Sequence, residues 1–320
     1  MKNKKVHIIT DSGSDLMGNI LDGKDIEILR MPVTANGVEY TINDENDLMN
    51  LYRLMREGVV FSTAHASYYD ILSAFERCAK EEIPCVFVGL SSGLTSQHNA
   101  AMMAAREVRE EYPDCVLEVI DSASATMGYG KAVLAGYEKA QAGAGIEEVV
   151  ETIIDDLNHT EHLFSVQSLE FLVRGGRLSK MAGAVGEALS IKPIINIDDA
   201  GKLVTQEKVR GDKKLRNRLV EISTEALKAL EGQDVWIVEG ENGEMTKDII
   251  ERINKCCTPN SIRVYKMGPV ISVHTGPDVL GIIYNNPQRN KNIRPMVHEI
   301  SLGEIQCRNR RMQETALERA

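Results

Sequence analysis

Hydrophobic residues in the first half of the chain alternate between short continuous runs and longer segments with helical spacing. The runs are β-branched and apolar, and they predict strands at 6–10, 28–33, 84–90 and 116–120. Apolar residues with helical spacing predict a helix from near Asp15 and helices at 45–57, 67–80, 96–111 and 124–141. Strands that alternate with helices of this length indicate βαβ units around a parallel sheet.

The second half contains the same kinds of segment in a less regular order. An acidic amphipathic helix is predicted at 146–157, and we expect the chain to pass into a second domain near 157–162. Beyond it, strands are predicted at 163–168, 191–197, 202–208, 235–239, 262–266 and 280–284, with helices at 182–189, 213–230 and 245–256. Several short strands with a few helices predict an α+β domain with a mixed sheet. The sequence therefore predicts an α/β protein of two domains, 1–160 and 161–286, followed by a polar extension, 287–320, of unknown role.

Polar stretches lie at the ends of the predicted strands in the first half. They are Thr10–Ser14, Ser62–Thr63, Ser91–Ser96 and Asp121–Ser124. In an open α/β sheet, ligands bind at the carboxyl ends of the strands, where hydroxyls and helix N-terminal amides can hold an anion. The alternative is that these Ser, Thr and Asp residues only cap helices. Four stretches with the same hydroxyl bias favour a shared site, although a residue can do both.

Two further stretches carry candidate chemistry. The basic turn 172–180 places Arg174 and Arg177 on either side of a glycine pair, where their guanidinium groups can bind a carboxylate or phosphate. The stretch 268–277 places His274 at a predicted strand end beside a Gly-Pro turn, which makes it a site candidate. A plain surface turn and a structural histidine are the alternative interpretations.

Composition narrows the class of protein. The net charge of −10 argues against a nucleic-acid surface, which requires a basic footprint. No stretch approaches the roughly 18 consecutive apolar residues of a membrane span. The cysteines form no C-x-x-C pair, which favours free thiols in a reducing compartment, so a cytoplasmic location is expected. We expect no metal and no cofactor, and no Walker A pattern indicates ATP binding.

The segment Gly89–Gly93 matches the G-x-S-x-G pattern of serine hydrolases. Ser91, Asp121 and His274 follow one another in the order that an α/β-hydrolase requires, so hydrolysis of acyl esters through Ser91 is the alternative function. Against it, the order is easily met in a chain with 47 acidic residues, and no HGGG-type loop precedes the serine. Five further residues, 92–96, also separate Ser91 from the next predicted helix, which makes the sharp elbow doubtful.

Taken together, these motifs resemble the DegV family of bacterial fatty-acid-binding proteins, which includes the binding subunits of fatty acid kinase. Five motifs match in order: Ile9–Ser12, Ser62–Thr63, Ser92–Ser96, Ile120–Ser122 and Leu169–Ser179. Lys208–Gly211 and Val273–Pro277 follow where the family has its own versions. The resemblance covers about residues 5–285. It implies a Rossmann-like first domain, a smaller α/β domain and a lipid tunnel between them. It also implies that the protein binds a long-chain fatty acid, without catalysis, and presents the carboxylate to a partner kinase for acyl-phosphate formation.

The resemblance also assigns roles to individual residues. It places the carboxylate on hydroxyls of the second and third loops, chiefly Ser62 and Thr95, with Thr63 and Ser96 beside them. His274, Thr275 and Gly276 are implied near the head group. Contacts with the head group or the partner are implied for Arg174, Arg177, Asp11, Ser12, Asp121 and Ser122. The chain departs from the family pattern at Ala64, His65, Ser96, Gln97 and His98, so the head-group pocket is expected to differ in shape.

Overall fold

The structure is a computed structural model that describes residues 4–178, 191–228 and 232–293. Within those ranges the strands are β1 (His7–Asp11), β2 (Ile26–Leu29), β3 (Val33–Ala35), β4 (Val38–Tyr40), β5 (Ser62–Thr63), β6 (Cys85–Gly89), β7 (Leu117–Asp121), β8 (Thr160–Ser165), β9 (Ile191–Ile197), β10 (Leu203–Arg210), β11 (Asp234–Glu239), β12 (Ser261–Lys266) and β13 (Leu280–Asn285). The helices are α1 (Glu45–Arg56), α2 (Tyr68–Lys80), α3 (Gln97–Glu111), α4 (Met127–Gln141), α5 (Ile146–His159), α6 (Glu170–Arg174), α7 (Asp212–Lys228), α8 (Gly243–Cys256) and α9 (Pro269–Thr275).

The first sheet is parallel and has helices on both faces. Its strand order is β2-β1-β6-β7, and every neighbouring pair is parallel. Ile9 and Phe87 point to the side that α2 and α3 cover, whereas Ile8 and Val88 point to the side of α4 and α5. A strand buried on both faces needs an unbroken apolar run, which explains why β6 shows no polar alternation. The predicted parallel βαβ domain is confirmed.

The second sheet is mixed and covered by helices on one face. Its order is β10-β9-β8-β13-β11-β12, in which only β11 and β12 pair in parallel. Leu163 and Ile237 pack under α7 and α8. On the opposite face, Ile195, Val238 and Ile283 belong to the same apolar cluster as the first domain. The predicted α+β part with a mixed sheet is confirmed, and the face that α7 and α8 leave free is turned toward the first domain.

A small third sheet holds one of the polar stretches. It has the order β4-β3-β5 and packs on α1 and α9 through Val33, Leu51 and Val273. Ser62 and Thr63 themselves form β5, so they do not follow a strand of the main sheet as the sequence suggested. Two-residue strands leave no hydrophobic period to detect, which is why the sequence pattern missed this pairing.

Two other local predictions are wrong. The run Val270–His274 belongs to α9 and is not a strand end, because Gly268 and Pro269 form a helix start with proline in the first turn. No α-helix begins near Asp15. The chain there makes short 3-10 turns at Ser12–Ser14 and Gly18–Leu21 instead, and Asp15 adopts a left-handed φ of 57°.

The chain enters the second sheet between α5 and β8, and the polar segment 286–293 packs over this passage. Asn286 N donates to the carbonyl of His159 at 2.7 Å, and Ile293 N donates to Asn158 Oδ1 at 2.7 Å. No sequence pattern indicates these contacts, since the segment has few apolar residues. The domain limits 1–160, 161–286 and 287–320 stay a prediction. Ser179, the helix predicted at 182–189 and residues 294–320 lie outside the described residues.

Candidate functional site

A cavity lies between the first domain and the face of the second sheet that α7 and α8 leave free. Its empty volume, including its opening, is about 770 Å³. The walls are apolar, and they include Leu90, Leu172, Ile197, Val238, Met267 and Ile283, all of them buried. No carboxylate occurs among the described residues that line it. Such a cavity favours an apolar ligand and does not repel an anionic group.

One part of the cavity wall is polar, and four different elements build it. Thr63 comes from β5, Thr95 from the turn before α3, His274 from α9, and Arg177 from the turn after α6. Thr63, Thr95, His274 and Arg177 are all partly exposed, and the neighbouring Ala64 is exposed, so this part of the wall lies near the surface. We call these four residues the polar end of the cavity. They bring two hydroxyls and one permanent positive charge to a single place.

His274 and Thr63 are joined by a hydrogen bond. His274 Nε2 lies 2.7 Å from Thr63 Oγ1. Burial, together with the positive charge of Arg177, lowers the pKa of His274 to about 4. The imidazole is therefore neutral near pH 7. If Nε2 carries the proton and donates to Thr63, the Thr63 hydroxyl proton is free to point toward a ligand in the cavity.

Arg177 is held in place by backbone carbonyls. Its Nε donates to the carbonyl of Leu94 at 3.0 Å, and its Nη1 donates to that of Gly175 at 2.6 Å. Leu94 directly precedes Thr95, so the bond from Arg177 to Leu94 joins the basic turn to the stretch Ser91–Ser96, which we call the hydroxyl turn. Burial lowers the pKa of Arg177, but a guanidinium stays charged across the physiological range. The positive charge is thus fixed at the polar end.

Glycines allow α6 and α9, the two helices behind the polar end, to approach each other. A Cβ on Gly175 would collide with His274 Nδ1, and one on Gly276 would lie 2.8 Å from the Phe171 ring. Gly276 also has a φ of +88°, a backbone conformation that residues other than glycine rarely adopt. The glycine pair that follows α6 and the Thr-Gly-Pro motif that ends α9 therefore meet at a single helix-helix contact. This contact fixes where His274 stands.

Several of the residues that the sequence placed at the head group lie elsewhere. Ser62 is exposed, and its hydroxyl lies 2.9 Å from Thr34 Oγ1, so Thr63 and not Ser62 lines the cavity. Ser96 is exposed at the start of α3 and is not part of the described lining. Thr275 does line the cavity, but its hydroxyl donates to the carbonyl of Ile271 at 3.1 Å. Strand-face alternation decides the first difference, because neighbouring residues of β5 point in opposite directions.

Arg174 also lies off the cavity. It is exposed on α6, where its guanidinium stacks over the Phe171 ring at 4.8 Å and Nη1 donates to Glu170 at 3.3 Å. It nevertheless sits three residues before Arg177, on the same basic turn. The structure therefore separates the two arginines into one on the cavity wall and one on the surface.

Asp11 and Ser12 have structural hydrogen bonds. The Asp11 carboxylate is fully buried and accepts from Leu90 N at 2.9 Å, from Gly13 N at 3.0 Å and from the Tyr129 hydroxyl at 2.6 Å. Burial raises the pKa of Asp11, and these bonds oppose that effect. Ser12 Oγ accepts from Met31 N at 2.9 Å. Neither residue belongs to the described lining of the cavity.

Asp121 and Ser122 also make structural hydrogen bonds. Asp121 Oδ1 accepts from Ser92 N at 3.0 Å and from Ala123 N at 3.2 Å, and the Ser122 hydroxyl donates to the carbonyl of Ser124 at 3.2 Å. Of these two polar stretches, only the one after β1 caps a helix, the 3-10 turn Ser12–Ser14 that begins after Asp11, whereas the N-cap of α4 is Thr126 and not a residue of the stretch after β7. The bonds of both stretches tie the loops of adjacent strands together and shape the inner wall of the cavity.

Ser91 is committed to a structural bond as well. It is fully buried, its hydroxyl donates to the carbonyl of Gly201 at 2.8 Å, and its Oγ accepts from Gly93 N at 3.1 Å. His274 bonds to Thr63, and Asp121 bonds to backbone amides. No hydrogen bond joins Ser91, Asp121 and His274 in the described structure. The geometry of a nucleophile activated by a neighbouring base is therefore not formed at Ser91.

The departures from the family pattern cluster around the hydroxyl turn. Gln97 is buried, and its Oε1 accepts from Ala66 N at 2.8 Å, which ties α3 to the segment after β5. His65 Nδ1 lies 2.7 Å from the carbonyl of Ala66. His98 is buried beside them and does not line the cavity. Of the departing positions, Ala64 alone belongs to the described lining.

Sequence reasoning missed a polar residue inside the cavity. His162 on β8 lines the wall and is 2% exposed. It falls at the predicted passage between the domains, where no strand was expected. The alternation of Thr160, His162 and Phe164 was the one available signal, and it indicates a strand that turns all three to the same face.

Over the ranges that the structure describes, no group of three or more His, Cys, Asp or Glu side chains is arranged to hold a metal ion. In the same ranges, no helix combines the length and the apolar character needed to cross a membrane.

The fold and the cavity together define an α/β protein with a parallel first sheet, a mixed second sheet and an internal site for an apolar ligand. Comparison with known sequences identifies the protein family. The chain belongs to the DegV family, whose model, described as an uncharacterised protein of that family, matches residues 5–286.

Relatives in sequence and structure agree with this placement. A DegV domain-containing protein of Clostridium perfringens is 30% identical over 283 residues, which span 88% of this chain and 97% of that protein. A DegV lipid-binding protein from Thermotoga maritima has a TM-score of 0.76 and 27% identity, covering 89% of this chain and 100% of the other. Another Thermotoga maritima protein, described as revealing a fatty acid binding function, has a TM-score of 0.74 and 26% identity, over 88% and 99% of the chains.

Proposed function

We propose that this protein binds a long-chain fatty acid in the cavity and presents its carboxylate at the polar end to a partner fatty acid kinase, which forms the acyl phosphate. The observation that carries the proposal is an apolar cavity whose polar end combines two hydroxyls with one arginine. A carboxylate moved out of water needs hydrogen-bond donors or a positive charge around it. Thr63, Thr95 and Arg177 supply both, and the acyl chain would lie along the apolar walls.

The chemistry of the cavity wall supports this ligand class. The lining is almost entirely apolar, and ligand sites of this kind use a few polar groups to orient an otherwise apolar ligand. Each methylene removed from water contributes about 0.8 kcal/mol, so a long acyl chain gains affinity from the walls alone. The lipid-binding and fatty-acid-binding relatives from Thermotoga maritima add independent support.

In this proposal the chain has a binding role and contributes no catalytic group. The fully buried Ser91, whose proton is donated to a backbone carbonyl, supports binding over hydrolysis. The exposed Arg174, three residues before Arg177, is suited to contact a partner or the phosphate being transferred. We place the protein in the cytoplasm, where such a kinase would find it.

Mass spectrometry of an organic extract of the purified protein tests the binding role. We expect a free fatty acid of roughly C14–C18, because each additional buried methylene contributes about 0.8 kcal/mol against the cost of ordering the ligand. Extracts without acid, together with no uptake of added palmitic or stearic acid, would refute the proposal. Labelling of Ser91 by a fluorophosphonate probe would instead favour the hydrolase.

The kinase step needs a separate experiment. The loaded protein is mixed with a fatty acid kinase catalytic protein and ATP, and hydroxylamine traps the acyl phosphate. Arg174→Ala should reduce trapped product without changing fatty-acid affinity. Arg252→Ala is the matched control, since Arg252 is also paired with an acidic residue four positions earlier but lies on α8, which packs on the other face of the second sheet. Equal loss of product in both variants, or none in either, would contradict the role of Arg174.

A further inference from the structure

The cavity contains a second polar group away from the residues of the polar end. The imidazole of His162 lines it from β8, where His162 is paired in register with Ile283 of β13. Phe164 and Ile283 make the surrounding wall apolar, and His162 itself is 2% exposed. A hydrocarbon chain passing along this wall would meet the imidazole.

One nitrogen of the imidazole is hydrogen-bonded in the described structure and the other is not. His162 Nε2 lies 2.9 Å from Ser124 Oγ. His162 Nδ1 is buried and has no hydrogen-bond partner among the described residues. A Cβ on Gly128 would collide with Nε2 and would lie 2.6 Å from Ser124 Oγ. The start of α4 therefore leaves room for this pair only because position 128 is glycine.

The electrostatic surroundings keep the imidazole neutral. Burial lowers the pKa of His162 well below its ordinary value, and the positive charges of Lys291 and Arg289 lower it further. A hydrogen bond to the backbone of Ala125 raises the pKa but does not outweigh them, and it leaves Nδ1 without a partner among the residues that the structure describes. A neutral imidazole has one donor and one acceptor nitrogen. Whichever of these Nδ1 is, leaving it unpaired in an apolar cavity is unfavourable, and a plain hydrocarbon cannot pair with it.

We propose that His162 is a distal subsite that recognises a hydroxyl group on the acyl chain, so that the preferred ligand class is a hydroxylated long-chain fatty acid. A hydroxyl both donates and accepts, and so it fits Nδ1 in either tautomer. The same hydroxyl at another place along the wall would lose its hydrogen bonds to water without replacement. The subsite therefore selects the position of the hydroxyl as well as its presence. This inference rests on the proposed fatty-acid binding.

The test is a competition assay with stearic acid and a series of monohydroxystearic acids in which the hydroxyl moves along the chain. For the wild-type protein we expect one positional isomer to bind about tenfold more tightly than the others, the effect of one paired against one unpaired hydroxyl. His162→Leu should remove this preference and retain stearic acid binding. His162→Asn should keep part of it, because its amide places a polar atom near the position of Nδ1.

The outcomes separate the two proposals. Binding of stearic acid with equal affinities for all the hydroxy isomers, or a preference that His162→Leu leaves unchanged, overturns the subsite and leaves fatty-acid binding intact. Failure of the wild-type protein to bind any of these acids overturns both. Thermal unfolding of each variant shows whether it is folded. If His162→Leu does not fold, the comparison of wild type with His162→Asn decides, since an unchanged preference order and magnitude would overturn the subsite.

Discussion

The exchange of Thr63 for valine tests the polar end most directly. Valine has nearly the shape of threonine and lacks the hydroxyl, so Thr63→Val removes the group that lies 2.7 Å from His274 Nε2 and leaves the cavity wall in place. In the proposed complex the Thr63 hydroxyl donates to the carboxylate while His274 donates to Thr63. The substitution therefore removes one hydrogen bond to a charged acceptor.

The expected loss follows from that bond. A hydrogen bond to a charged group contributes roughly 1.5–3 kcal/mol, and 1.4 kcal/mol corresponds to a factor of ten in affinity. Thr63→Val should thus weaken fatty-acid binding by about 10- to 150-fold. It should also lower the free energy of unfolding by about 1–3 kcal/mol, because His274 Nε2 is left without its partner.

Ser62→Ala is the matched control, because the neighbouring residue on β5 also carries a hydroxyl. That hydroxyl is exposed and pairs with Thr34, so removing it should change fatty-acid affinity by less than about twofold. The assay is isothermal titration with delipidated protein and palmitic acid. A large loss in Ser62→Ala together with a small one in Thr63→Val would refute the assignment of Thr63 and restore the one suggested by the sequence resemblance.

Three further predictions concern the same region. Thr95→Val should weaken fatty-acid binding by about tenfold or more in the same titration, because it removes the second hydroxyl; unchanged affinity would exclude Thr95 from the head group. Gly175→Ala should lower the free energy of unfolding by about 1–3 kcal/mol in denaturant titrations, since its Cβ would collide with His274 Nδ1, whereas Gly243→Ala, which meets nothing within 4 Å, should have little effect; equal losses in the two would contradict the packing argument. Burial raises the pKa of the Asp15 carboxyl from 3.8 to about 7. Between pH 3.8 and about pH 7 the folded protein therefore keeps a proton on Asp15 that the unfolded chain has released. The free energy of unfolding consequently falls as the pH rises through this window. The fall attributable to this group is roughly 4 kcal/mol, and Asp15→Asn should abolish it; an identical pH profile in denaturant titrations of both proteins would show that Asp15 does not titrate in this way.

The regular elements were well predicted from the sequence, and the irregular ones were not. The continuous run of β6 and the helical spacing of α2 gave bounds within two residues of those in the structure. Short elements failed because they hold too few residues for a hydrophobic period. This is why the sequence pattern does not indicate a strand at β5 and wrongly predicts a strand end in α9.

The candidate site was predicted in part. The sequence singled out the hydroxyl and basic stretches, and the structure brings Thr63, Thr95, Arg177 and His274 to one cavity. It did not separate residues that face the cavity from those that hold the loops. Asp11 shows why, because a carboxylate that accepts backbone hydrogen bonds and one that contacts a ligand look the same in a sequence.

By itself, the sequence determined the alternation of strands and helices, the parallel first sheet, the mixed second sheet and the family to which the motifs belong. These follow from hydrophobic periodicity and short polar motifs, which are local properties of the chain. Only the tertiary structure decided that Thr63 rather than Ser62 lines the cavity, that Ser91 is locked onto Gly201, and that His162 stands in an apolar wall. Those facts depend on which face of an element is covered by residues more than a hundred positions away. Such long-range packing is set by the whole fold, and no short stretch of sequence carries it.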